Sequence, residues 1–169
     1  MGESFTTWLH LVAITIWIGP QFFLFLVTGP ALRAIEDAEA RLRVMRIIIY
    51  RYGWLAWGAM AVIVATGISK VFQEANDFAY VFDGDYRYLQ IFSTKMTILG
   101  LTVALTAIHT FVIGPRQIRL HEEMRSDSAE ALRLRRWSIV LSSLALLGSL
   151  AVLFAGALLA NHEYSYRLM

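Results

Sequence analysis

The chain has 169 residues, is 57% hydrophobic, carries a formal net charge of +2 and contains no Cys. With a mean hydropathy of +0.55, this composition describes a small integral membrane protein and excludes an ordinary soluble enzyme domain. The absence of Cys removes disulfides, thiolate zinc or iron–sulfur sites, covalent c-type haem and Cys-based catalysis, and so small a charge gives no ground for a nucleic-acid partner.

Four apolar runs follow one another, at about 5–29, 48–72, 90–114 and 137–161. Each is long enough to span, because roughly 20 residues at 1.5 Å cross a hydrocarbon layer of ~30 Å. The leader before the first run, residues 1–7, has no Lys or Arg, the run exceeds a signal-peptide core, and no small-x-small cleavage site follows it. It therefore reads as a retained span. On a helix Thr6, His10, Trp17, Gln21 and Thr28 fall on one face. A polar stripe is expensive in lipid, so this face is expected to turn toward protein.

Segments 30–47 and 115–136 hold Arg33, Arg41, Arg43, Arg46, Arg116, Arg119, Arg125, Arg133, Arg135 and Arg136, ten of the fifteen basic residues. The positive-inside rule makes them cytoplasmic connections and leaves the outer loop 73–89 and both termini outside. The expected fold is all-α integral membrane: a four-transmembrane-helix bundle with N and C termini outside, a single membrane domain over 1–169, in the bacterial cytoplasmic membrane. Each connection begins with Gly-Pro, at Gly29-Pro30 and Gly114-Pro115, where each span is expected to stop and a helix to restart with Pro in its first turn. The helical stretches ALRAIEDAEARLRVMR and EEMRSDSAEALRLRRW are expected to extend the spans or lie on the membrane surface.

An offset of 85 carries Gly29-Pro30 onto Gly114-Pro115, Arg51 onto Arg136 and His10 onto Lys95, the pattern of a two-helix unit used twice. In the third span Lys95, Thr102, Thr106 and His109 share a face that is also expected to turn inward. The second and fourth spans carry lines of small residues, Gly58, Ala61, Ala65 and Ser69, and Ser138, Ser142, Ala145, Ser149, Gly156 and Ala160, which would let helix backbones approach. The middle loop, FQEANDFAYVFDGDYRYLQ, is acidic and aromatic. It reads as an interfacial belt, with Asp83-Gly84-Asp85 as a turn rather than a calcium loop, and as a docking surface for a periplasmic metal or electron carrier.

His10 is the first candidate for chemistry, about five residues or roughly 7 Å below the outer end of its span. Imidazole suits copper and haem iron, and the structural alternative is a neutral ring bonded to Thr6 or a neighbouring helix. Lys95 lies at similar depth and either snorkels or meets an anion such as a haem propionate or a carboxylate substrate. His162, with Glu163 at the end of the fourth span, either belongs to a flexible tail or completes a metal site with His10. His109 is fourteen residues beyond Lys95, roughly 21 Å along the helix, so one metal cannot take both it and His10. His121 reads as a solvated loop residue.

The stretches LHLVAITIWIGPQFFLFLVTGPAL, Lys95 followed by ILGLTVALTAIHTFVIGPR, and SLALLGSLAVLFAGALLAN resemble the membrane domain of the copper-resistance D family. The resemblance spans all four runs, and its specific points are His10 with Trp17 and Gly19, and Lys95 with Pro115. The His-then-Trp first span and the Lys of the third are also similar to the membrane protoporphyrinogen oxidase family. That family has an Arg shortly after the Trp, whereas this chain has none before Arg33. The resemblance implies copper handling at the cytoplasmic membrane with His10 as ligand. The residues themselves leave three readings open: a copper-handling protein with a metal site near the outer face, a b-type haem protein for electron transfer or porphyrinogen oxidation, and a ligand-free accessory subunit of a larger membrane complex.

Overall fold

The structure, a computed structural model, describes residues 2–77, 86–123 and 128–168. The described residues are almost entirely helical and form no strand. Four long helices carry the fold: α1 (Gly2–Arg33), α2 (Ala38–Asp77), α3 (Arg87–Glu122) and α4 (Ala129–Ala160). Each is long and apolar enough to cross a membrane, the pattern of a multi-pass membrane protein. A short α5 (His162–Ser165) follows.

The helices form two antiparallel hairpins. Along their lengths α1 packs on α2, and α3 on α4; the hairpins meet more lightly, through α1 with α4 and through the start of α2 with the end of α3. Side-chain bonds fix this order. Thr7 meets Lys70, Gln21 meets Ser149, Arg46 meets Glu122 and Arg116 meets Glu130. Helices α1 and α3 are therefore diagonal partners, and both chain termini lie at one end of the bundle, opposite the arginine-rich end.

The packed centre belongs to the first hairpin: Ala13, Trp17 and Ile18 of α1 against Ala56, Ala59, Met60 and Ile63 of α2, with Leu99 and Val103 of α3 closing over them. Trp17 is only 2% exposed. Its indole fills the space that the alanines of α2 leave, the large-against-small packing that helices use in lipid. The polar faces foreseen for α1 and α3 do turn inward: Thr28 and Thr102 are buried, and His10, Gln21, Lys95, Thr106 and His109 are partly buried. In α4, Ala145 and Ser149 are buried as well. In α2 the expected face is wrong. Gly58, Ala61 and Ala65 are exposed, and the helix turns Ala59, Met60, Ile63 and Thr66 inward instead. The face that meets Trp17 combines Ala56 and Ala59 with Met60 and Ile63, and small size alone does not identify it.

The Gly-Pro pairs also behave differently from expectation, since neither span stops there. Both helices pass through one π turn, Leu24–Thr28 and His109–Ile113, and continue as Gly29–Arg33 and Gly114–Glu122. Proline lacks an N–H and its ring clashes with the carbonyl four residues back. Widening one turn removes the clash, and the amides of Gly29 and Gly114 bond the carbonyls five back, of Leu24 and His109. The two π turns are separated by 85 residues, the offset that relates the Gly-Pro pairs. The helical parts of 30–47 and 115–136 are continuations of the long helices, so His121, far from a loop, sits half-buried in the last turns of α3 with Nδ1 3.0 Å from the Gln117 carbonyl.

The C-terminal residues are not a free tail. Asn161 caps α5 by accepting from the Tyr164 amide, Ser165 is fully buried, and the Arg87 amide donates to the Arg167 carbonyl at 3.2 Å. Tyr166 bonds Glu74 and meets the buried Tyr88 edge-on at 5.9 Å. Arg87 lies over the Tyr164 ring. These contacts hold the segment across the ends of α2 and α3. Asp83-Gly84-Asp85 and most of the acidic loop lie outside the described residues.

Candidate functional site

Two polar rungs join α1 to α2 near the terminal end. Lys70 Nζ donates to Thr7 Oγ1 at 2.9 Å, and His10 Nδ1 lies 2.7 Å from Thr66 Oγ1. The spacing follows from the helix: Thr7 and His10 are three apart, Thr66 and Lys70 four apart, so each pair stacks on one face of its antiparallel helix.

The second rung determines which ring nitrogen of His10 is free. Thr66 Oγ1 donates its single proton to the Val62 carbonyl at 2.6 Å, with the Ile63 carbonyl at 3.2 Å. The hydroxyl can then only accept from the ring. This arrangement favours the tautomer with the proton on His10 Nδ1 and the lone pair on Nε2. A ring held by an Nδ1–H bond with Nε2 open is the arrangement in which histidines bind metals. Gly67 backs the ring, since a Cβ there would stand 3.7 Å from His10 Cε1.

The charged neighbours are cationic. Lys95 and Lys70 both lie within electrostatic reach of His10. Lys95 crosses to α4, where its Nζ comes within van der Waals contact of the position of a Cβ on Gly156, at 3.6 Å. The diagonal placement of α1 and α3 means that His10 is held by α2 and Lys95 rests on α4, both nearer the terminal end of the bundle.

His162 is engaged elsewhere. Its ring stacks on Tyr166 at 4.5 Å and Nε2 is 3.8 Å from Glu74. His109 shares a 2.9 Å hydrogen bond with Ser138 Oγ and joins α3 to α4 far from His10. Among the described residues no three His, Cys, Asp or Glu side chains come together as a metal cage. Lys70 and Thr66 were missed in the sequence, and a signal was there: at four-residue spacing they form a polar pair on one face near the end of the apolar run 48–72.

The model of one family, a domain of unknown function named DUF4149, matches residues 12–126. That is well over half of the chain. The chain belongs to the DUF4149 family. The DUF4149 match takes in Thr66, Lys70, Lys95 and His109 and begins two residues after His10. No curated protein and no solved structure matches the chain.

Proposed function

We propose that this protein binds haem b at the terminal end of its bundle, where His10 Nε2 would hold the iron and Lys95 and Lys70 would answer the carboxylate charge. The observation that carries this reading is the 2.7 Å contact of His10 Nδ1 with Thr66 Oγ1, which engages that nitrogen and favours Nε2 as the lone-pair donor, with Lys95 and Lys70 within electrostatic reach. A bare copper ion would use the same nitrogen, as the likeness to the copper-resistance D family implies. Lysines next to a cation raise its energy, however, whereas a porphyrin with two carboxylates turns them into charge-assisted partners. Haem would supply one-electron redox chemistry there. The residues' part is to fix the imidazole tautomer and orientation through Thr66 and to answer carboxylate charge through Lys95 and Lys70.

The arginine-rich end is the cytoplasmic end by the positive-inside rule, which puts His10 toward the outer face of the bacterial cytoplasmic membrane. Electron transfer with a periplasmic carrier, or porphyrinogen oxidation, is the chemistry such a group would support there.

The test is an absorption spectrum with metal analysis on protein purified gently from native membranes. A Soret band near one haem per chain, lost in His10→Ala, supports the reading. Stoichiometric copper without a Soret band replaces it with the copper reading, and neither ligand replaces it with an accessory role in a larger complex.

A further inference from the structure

The opposite end of the bundle holds a cleft of about 270 Å3 between α3 and α4, lined by Val112, Arg116, Glu130, Arg133, Leu134 and Trp137. Glu130, Arg133, Leu134 and Trp137 stand at i, i+3, i+4 and i+7, so one face of α4 forms one wall. Val112 and Arg116, one turn apart, form the other. The lining is graded along the helix axes. Val112, Leu134 and Trp137 line the part nearer the apolar spans, and the arginines line the part nearer the helix ends.

Arg116 Nε donates across the cleft to Glu130 at 2.9 Å, which answers the one carboxylate in the lining. Arg133 makes no ion pair among the described residues. Trp137 is 55% exposed, and an exposed indole near the end of a span is suited to the headgroup region. At ~30 Å3 per water the space equals roughly nine waters, room for a phosphodiester and its glycerol.

We propose that this cleft binds the headgroup of an anionic phospholipid, with the phosphate on Arg133 and Arg116 and the glycerol and first acyl carbons against Val112, Leu134 and Trp137. A basic pocket between spans at the cytoplasmic side is suited to such a ligand. The apolar half of the lining favours a lipid over a soluble phosphate, which would leave that half unfilled.

The experiment measures thermal stabilisation and lipid retention of the full chain in detergent, with phosphatidylglycerol, phosphatidylcholine or inorganic phosphate added. Phosphatidylglycerol should be retained and raise the melting temperature, while phosphatidylcholine and phosphate should not. Arg133→Gln should weaken the apparent affinity on the order of fivefold, the effect of one basic group near an anionic headgroup. Arg43→Gln, an equal charge change at the same end but outside the cleft, should leave it unchanged. Trp137→Ala should weaken it without altering charge. Equal responses to the two lipids, or equal losses in Arg133→Gln and Arg43→Gln, would overturn the site. Displacement of the lipid by an equal concentration of phosphate would assign it to a soluble anion instead.

Discussion

At the scale of single residues, the account rests on a hydroxyl with one proton. Thr66 Oγ1 lies 2.6 Å from the Val62 carbonyl of its own helix, which favours the Nδ1–H tautomer of His10. Thr66→Val keeps the shape and removes the acceptor, and partners of this kind contribute about 10–100-fold to ligand affinity. Haem titration into the stripped variant should show a loss of that size, with Thr66→Ser near wild type; an unchanged affinity in Thr66→Val would separate His10 from its proposed anchor. A second residue-scale prediction concerns packing. A Cβ at Gly148 would collide with Thr102 Oγ1, and Thr102 is 1% exposed with its proton on the Ile98 carbonyl. Gly148→Ala should destabilise by about 1–3 kcal/mol, as overpacking does. Adding Thr102→Ala should recover part of that in a thermal melt, the coupling expected of neighbours.

At the scale of elements, the docked C-terminal segment depends on Glu74. This carboxylate bonds the Tyr166 hydroxyl and faces the His162 ring, and a hydrogen bond to a charged group contributes about 1.5–3 kcal/mol. Tyr166→Phe should therefore raise amide exchange over 162–168 by about one to two orders of magnitude, as local opening becomes easier. Exchange equal to wild type would show that the Tyr88 and Arg167 contacts alone hold the segment. The sequence made the long helices and the inward faces of α1 and α3 visible, because polar residues at helical spacing in an apolar run have few places to go. The docked segment was not visible, because its contacts join residues as distant as Glu74 and Tyr166. The passage of α1 and α3 through their Gly-Pro pairs was hidden too. Proline announces a break, and only backbone geometry shows that one wide turn absorbs it. The face of α2 was misread because residue size says nothing of which neighbour arrives.

At the scale of the whole molecule, both termini share an end with His10 and Lys95, and most of the arginines share the other. The chain's lack of Cys makes this arrangement simple to test. An impermeant maleimide on intact cells should label Glu163→Cys and spare Arg41→Cys, and the reverse pattern would invert the proposed orientation. The 85-residue relation between the π turns, and between His10 and Lys95, gives the bundle two similar hairpins whose ionisable groups differ. One carries a lone pair and the other a positive charge, the two properties that a metalloporphyrin needs from a protein. The most direct measurement is therefore imidazole rescue. His10→Gly should lose the Soret band, and added imidazole should restore it by occupying the space of the missing ring. A Soret band of wild-type position and intensity in His10→Gly without imidazole would contradict ligation by His10.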